Sequence, residues 1–363
     1  MDRPILEREH ELAQLAAAAH EAANGLGSVV LIAGEAGIGK SSLVEALPSV
    51  LPDKAELLVG YCDDLTTRRV LGPLRDLTPH VGGALARALE AVDREQVLEE
   101  LRAELVRRPA PTVLVIEDAH WADEATLDVL RFLVRRVTAI PVVLVLTYRD
   151  DELSREHPLR HLLGLISRSA RLRRLELGPL SAGAVRRLGA DSGLDADQVY
   201  AVTSGNPFFV VEVLAAQDPD RVPATVTEAV QARLGRLDPI TRDALETLAV
   251  VPSAVERWLV EALIPDWLSV LASAERYGVL IIGSERLAFR HELIRKSMLD
   301  SMPVARRVAC NQAVLTALRL AGRPVDPSRI VHHAAEAGDD DAVVQYGLAA
   351  AREAVAAGSH TEA

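Results

Sequence analysis

A short apolar run, Ser28-Val29-Val30-Leu31-Ile32-Ala33, leads directly into Gly34-Glu35-Ala36-Gly37-Ile38-Gly39-Lys40-Ser41. No other stretch limits the fold as tightly. The run predicts a buried strand, the next segment matches the pattern G-x-x-x-x-G-K-[ST], and 40–51 reads as a helix. Each part of that pattern has a physical task. Glycines let the backbone curl so that several N–H groups point at one phosphate. The following helix adds the partial positive charge of its N-terminus. Lys40 reaches the β- and γ-phosphates, the Ser41 hydroxyl ligates Mg²⁺, and Ser42 comes within reach of the α-phosphate. The predicted nucleotide-binding set is therefore Gly34, Glu35, Ala36, Gly37, Ile38, Gly39, Lys40, Ser41 and Ser42, with ATP or ADP and Mg²⁺ as cofactors.

The surrounding sequence repeats the strand–helix alternation. Apolar strands are predicted at 57–59, 112–116 and 142–148, and a half-exposed edge strand at 172–177, where apolar and basic residues alternate. Helices are predicted at 4–23, over 71–108 with breaks at Pro73, Pro79 and Gly82-Gly83, and at 122–137. Strands apolar throughout and separated by helices imply a parallel sheet covered on both faces. The pattern changes after Gly178. Short helices follow over 181–217 and 223–265, then a β-hairpin at 279–289 across Gly283-Ser284, then alanine-rich helix from Pro303. The predicted fold is an α/β P-loop NTPase core at 1–178. After it come short helices, a winged-helix-like domain at 221–302 and a helical region at 303–363.

The strand at 112–116 ends in two carboxylates, Glu117 and Asp118. In a phosphate-loop sheet such a strand end delivers one carboxylate toward Mg²⁺ and a second that orients the attacking water. Glu117 is assigned to the metal, beside Ser41, and Asp118 to the water; these two roles are open to exchange. Asp123 is read as a helix N-cap. Arg149 follows the next strand, at the carboxyl end where open α/β sheets bind ligands. There it can sense or stabilise the γ-phosphate, or pair at the surface with Asp150 or Asp151. The predicted catalytic set is Lys40, Glu117, Asp118 and Arg149.

Composition excludes several other classes. The chain has 363 residues, 49% of them hydrophobic, too many for a disordered chain. A formal net charge of −12 argues against nucleic-acid or anionic-membrane binding by the whole chain. Two cysteines, Cys62 and Cys310, cannot build a disulfide scaffold and point to a reducing compartment. No signal-peptide pattern opens the chain, and no apolar run approaches the roughly 18 residues of a membrane span. The expectation is a cytoplasmic protein without membrane contact. Of the 40 basic residues only Lys40, Lys54 and Lys296 are lysines.

Taken in order, these segments resemble the bacterial STAND NTPases (signal-transduction ATPases with numerous domains), most closely the large ATP-dependent LuxR-type transcriptional regulators. Leu6-Glu7-Arg8-Glu9 is similar to that family's opening G-R-E segment, with Glu7 where glycine is usual. Glu117-Asp118-Ala119-His120-Trp121-Ala122-Asp123 resembles its extended acidic strand, and Thr147-Tyr148-Arg149 its sensor segment. Ser204-Gly205-Asn206-Pro207-Phe208-Phe209 is similar to its lid motif, and Phe289-Arg290-His291-Glu292-Leu293-Ile294-Arg295 to its F-R-H-x-L-x-R segment. The resemblance implies that 179–220 is a helical lid and 303–363 the start of a tetratricopeptide-like helical repeat region. It implies a nucleotide-operated switch, held closed by ADP between core, lid and winged helix. ATP opens it, and the opened form self-associates. It further implies Pro207 against the adenine, His291 toward the ADP β-phosphate, slow hydrolysis, an unidentified inducer, and DNA contact only through a C-terminal helix-turn-helix absent from this chain. His120 and Trp121 are read as packing residues. His332-His333 is read as a structural pair whose rings point apart on a helix. Two alternatives stay open: an origin-recognition-type ATPase with a DNA-binding winged helix, and a non-catalytic scaffold stabilised by nucleotide.

Overall fold

The structure, a computed structural model, describes residues 5–64, 68–168, 171–215, 234–252, 254–290 and 292–356. The chain divides into two compact units, one of residues 1–178 and 349–363, the other of residues 179–348.

The first unit is built on five parallel strands: β1 (Ser28–Ala33), β2 (Glu56–Tyr61), β3 (Thr112–Glu117), β4 (Val142–Tyr148) and β5 (Leu172–Glu176). Their spatial order is β2-β3-β4-β1-β5. Residues Val142 to Tyr148 therefore run between β1 and β3, with Ala33 beside Tyr148 and Ile116 beside Leu146. All strands point the same way, so the segments that leave β1, β3 and β4 emerge on one edge. This is the predicted α/β fold with a P-loop core, and β5 is an edge strand as its alternation implies.

Side-chain alternation divides the core in two. Val30, Ile32, Val113, Val115, Val143 and Val145 face α1 (Glu9–Ala23) and α2 (Lys40–Glu45). Val29, Leu31, Leu114, Ile116, Leu144 and Leu146 face the opposite layer, which contains Leu74, Leu101, Leu130 and Leu162. Strands buried on both faces can be apolar throughout, which is why their sequences show no period of two.

Several boundaries differ from expectation. Pro48 is accommodated in a short 3-10 turn, Leu47–Ser49, and the helix after the phosphate loop ends before it at Glu45. The segment at 71–108 resolves into helices Gly72–Arg75, Gly83–Ala91 and Arg94–Arg107, with Thr78–His80 as a 3-10 turn. Pro73 and Pro79 stand in the first turns of their short helices and Gly82 precedes the helix at Gly83, whereas the last break falls at Val92-Asp93, where Asp93 caps the next helix. The helix expected from 122 begins at Glu124 and ends at Val134, because Asp123 caps it, accepting from Thr126 N–H at 3.1 Å.

The second unit opens with helices Ala182–Leu188, Ala196–Thr203 and Pro207–Ala215. After residue 234 the order is helix Pro239–Ala249, strand β6 (Val255–Glu256), helices Arg257–Leu263 and Trp267–Arg276, then strands β7 (Leu280–Ile282) and β8 (Arg286–Phe289). The strands form an antiparallel sheet in the order β6-β8-β7, with Leu280 opposite Phe289 in the expected hairpin. Helices Glu292–Ser301, Val304–Arg319 and Pro327–Ala337 follow, and helix Asp340–Ala356 begins in this unit and ends in the first. Phe208, Leu245, Leu259, Leu271, Leu287 and Val314 share one apolar core.

The paired histidines correct the sequence reading. Their rings do not point apart: His332 and His333 are both buried with ring centroids 5.0 Å apart, edge to face. His333 Nδ1 lies 2.8 Å from Asn311 Oδ1, and Asn311 donates in turn to Arg307 O at 3.0 Å. Burial and the adjacent His332 and Arg329 charges hold His333 well below the ordinary imidazole range.

Candidate functional site

The site begins where β1 ends. Gly34 has φ +151°, and a Cβ there would stand 2.9 Å from Ile38 Cγ2 and 3.1 Å from Leu177 O. Gly39, which caps α2, has φ +101°. Neither position accepts a side chain without strain, so both glycines in the pattern are structural requirements. The loop curls back on its own lysine: Lys40 Nζ donates to Gly34 O at 2.7 Å and Glu35 O at 2.9 Å. Burial lowers the Lys40 ammonium below its ordinary range. Asp118 acts against that shift and Arg149 with it, while Asp151 and Glu117 oppose it. The P-loop lysine thus lies in the field of three predicted site residues and of Asp151, which the sequence reading did not select.

Ser41 Oγ donates to Glu117 Oε2 at 2.7 Å, so the two predicted metal residues meet. Glu117 is buried, and burial pushes its carboxyl from 4.5 up to about 7. The Ser41 hydrogen bond opposes this, Asp118 and Glu45 add to it, and Lys40 opposes it. A hydroxyl and a carboxylate are hard oxygen donors of the kind Mg²⁺ takes. A cation there would also restore the ionised form that burial disfavours. On both counts the residues fit the ion.

Asp118 sits in the left-handed region at φ +52°. Its N–H donates to Thr147 Oγ1 at 2.9 Å, which ties the exit of β3 to the end of β4. Arg149 follows that strand end. It is buried and pairs with neither Asp150 nor Asp151. Its partner is Glu152, whose Oε1 lies 2.5 Å from Arg149 Nη1. The guanidinium stands over the Trp121 ring at 4.9 Å, and Nε is buried with no hydrogen-bond partner. The His120 ring stands beside this pair, its Nε2 3.3 Å from Glu152 Oε2, a contact that is an ion pair only when the imidazole is protonated. An unpartnered buried donor near the phosphate-loop lysine suits an anion.

Arg8, in the opening Leu6–Glu9 segment but not among the predicted site residues, supports the loop. Arg8 is buried and donates to Ile38 O at 3.3 Å and Gly178 O at 2.5 Å. Preceding it, Glu7 has φ +57°, a conformation that favours glycine. Asp123 accepts from Leu71 N–H as well as from its own helix, and is structural. Ser42 lies in the first turn of α2. Pro207 begins its helix in the second unit, after Asn206, whose Oδ1 accepts from Phe208 N–H at 3.1 Å. His291 lies outside the described residues.

Residues 4–146 match the family model described as an AAA ATPase domain. An uncharacterised protein of Rhizobium meliloti is 27% identical over 433 aligned residues, covering 100% of this chain and 42% of that protein. Among solved structures, the chain resembles a Signal Transduction ATPase with Numerous Domains (STAND) protein with a tetratricopeptide repeat sensor from Pyrococcus horikoshii. That likeness has a TM-score of 0.61 at 15% identity, over 98% of this chain and 52% of the other, and shows the shared fold. Cdc6p from Pyrobaculum aerophilum aligns with a TM-score of 0.43 at 16% identity, over 83% of this chain and 96% of that one. The chain spans about two fifths of its curated relative and about half of the STAND protein. Among the described residues no helix is long and apolar enough to cross a membrane.

Proposed function

We propose that this chain is the ATP-binding, slowly hydrolysing switch module of a signal-responsive regulator. The observation that carries the reading is the convergence of Lys40, Ser41, Glu117, Asp118 and Arg149 on one edge of the sheet, with the lysine and serine already engaged to polar atoms of the site. In this reading Lys40 leaves the Gly34 and Glu35 carbonyls for the β- and γ-phosphate oxygens, and loop N–H groups hold the remaining phosphate charge. Mg²⁺ supplies neutralisation of that charge when bound. Ser41 and Glu117 hold the ion, Asp118 orients the attacking water, and Arg149 contacts the γ-phosphate.

The regulatory part of the reading rests on the order of motifs. The helix–strand–helix–helix–strand–strand order from Pro239 to Phe289 supports a winged-helix domain. Pro207 is assigned to the adenine and His291 to the ADP β-phosphate by the family resemblance. ADP would keep the module closed, and ATP would favour self-association. Charges along the hairpin and the following helix, Glu285 and Arg286, then Glu292, Arg295, Lys296 and Asp300, roughly cancel. That balance favours a regulatory domain over a DNA-reading one.

Thermal unfolding with MgATP or MgADP tests the site. We expect each nucleotide to raise the wild-type midpoint and Lys40→Ala to abolish the rise; an undiminished rise in the variant overturns the site. The closed switch also expects stoichiometric ADP in the purified protein, released on denaturation and read by chromatography.

A further inference from the structure

We propose that Glu152, in the segment after β4, is a positioning residue for the nucleotide reaction, holding Arg149 with one carboxylate oxygen while the other stands against the His120 ring. The inference rests on the ATPase reading above and assigns a role to a residue outside the P-loop and acidic-strand motifs.

The geometry is a bridge. Glu152 Oε1 lies 2.5 Å from Arg149 Nη1, and Oε2 lies 3.3 Å from His120 Nε2. On the far side of the same ring, His120 Nδ1 is 4.0 Å from Asp118 Oδ1. A single carboxylate thus links the arginine after β4 to the histidine that faces the water-orienting candidate after β3. Trp121 packs on both partners, 4.5 Å from the His120 ring and 4.9 Å beneath the Arg149 guanidinium. His120 is 1% exposed and Arg149 6%, while the Glu152 side chain is 32% exposed.

This arrangement has a physical consequence. An arginine at a phosphate site carries large rotamer freedom, and catalysis gains only if that freedom is removed before the transition state. Here one nitrogen is tethered to a carboxylate and the plane is stacked on an indole, while Nε remains buried without a partner. The tether also has an electrostatic task. The Arg149 charge acts unfavourably on the Lys40 ammonium, and a carboxylate against the guanidinium reduces that like-charge cost. Glu152 therefore sets where Arg149 stands and permits a second cation beside Lys40.

Glu152→Gln keeps the volume and removes the charge, so it is the first variant to make. Steady-state ATP hydrolysis is expected to show kcat reduced about tenfold, with KM for ATP within about twofold of wild type. Thermal midpoints without nucleotide should agree. Because Glu152 acts through Arg149, adding Glu152→Gln to Arg149→Ala is expected to cost nothing further. An additive double variant, or a kcat equal to wild type, overturns the proposal. Lys40→Ala in the same series separates the two claims. If it alone abolishes nucleotide stabilisation while Glu152→Gln hydrolyses normally, the ATPase site stands and the role of Glu152 falls. A wild-type chain that binds nucleotide without turnover overturns the proposal too.

Discussion

Glu117 shows how one buried side chain can carry both a cost and a function. Its carboxyl titrates near 7 because burial penalises the charge, and the Ser41 hydroxyl only partly offsets that. The folded value lies above the ordinary 4.5, so the native state binds the proton more tightly than the unfolded chain does. The contribution to stability is present below about pH 4.5 and is lost as pH rises through about 7. Glu117→Gln is neutral at every pH. Without nucleotide, it should gain on the order of 2 kcal/mol over wild type between pH 5 and 8, measured by denaturant unfolding across pH. Asp118 is partly exposed and suits a different task. Asp118→Asn should keep ATP binding and slow hydrolysis by about 10²–10⁴-fold, read by equilibrium binding beside single-turnover kinetics. The motif residues were legible because the chemistry demands their types at fixed spacing. Glu152 was not, since an acid four residues beyond a strand matches no pattern until β3 and β4 lie side by side.

Among the elements, the helix starts are the places where one side chain decides most. Asp123 accepts from Thr126 N–H, Thr126 Oγ1 and Leu71 N–H while almost fully buried. Asp123→Ala would leave those donors without their acceptor, and we expect a loss of about 2–3 kcal/mol in denaturant unfolding. The cap itself was readable from Asp123 standing before an apolar helix; the bond to Leu71, 52 residues away, was not. Helix Pro327–Ala337 depends on a neutral imidazole. His333 is held well below its ordinary value, so its contribution is complete above about pH 6.5 and falls as the pH drops below that toward the depressed folded value. Wild type should lose stability faster than His333→Gln on acidification from pH 7 to 5, followed by circular dichroism. The sequence argument that neighbouring histidines diverge failed here because both rings are buried, with Asn311 against His333.

At the scale of the whole chain, two units with separate apolar cores should give two calorimetric transitions. MgATP should raise the transition of the unit that contains Lys40, and Lys40→Ala should remove that rise while leaving the other transition in place. What the sequence by itself determined was the core architecture and its phosphate loop. A strand apolar throughout, followed by glycines at positions needing φ > 0 and then by Lys40 and Ser41, leaves few other solutions, because these are local constraints. Only the tertiary structure decided the strand order β2-β3-β4-β1-β5, and with it which loops meet. Pairing between distant strands depends on long-range packing that no local window contains. That pairing places Glu117 against Ser41, Asp118 against Thr147, and Glu152 between Arg149 and His120.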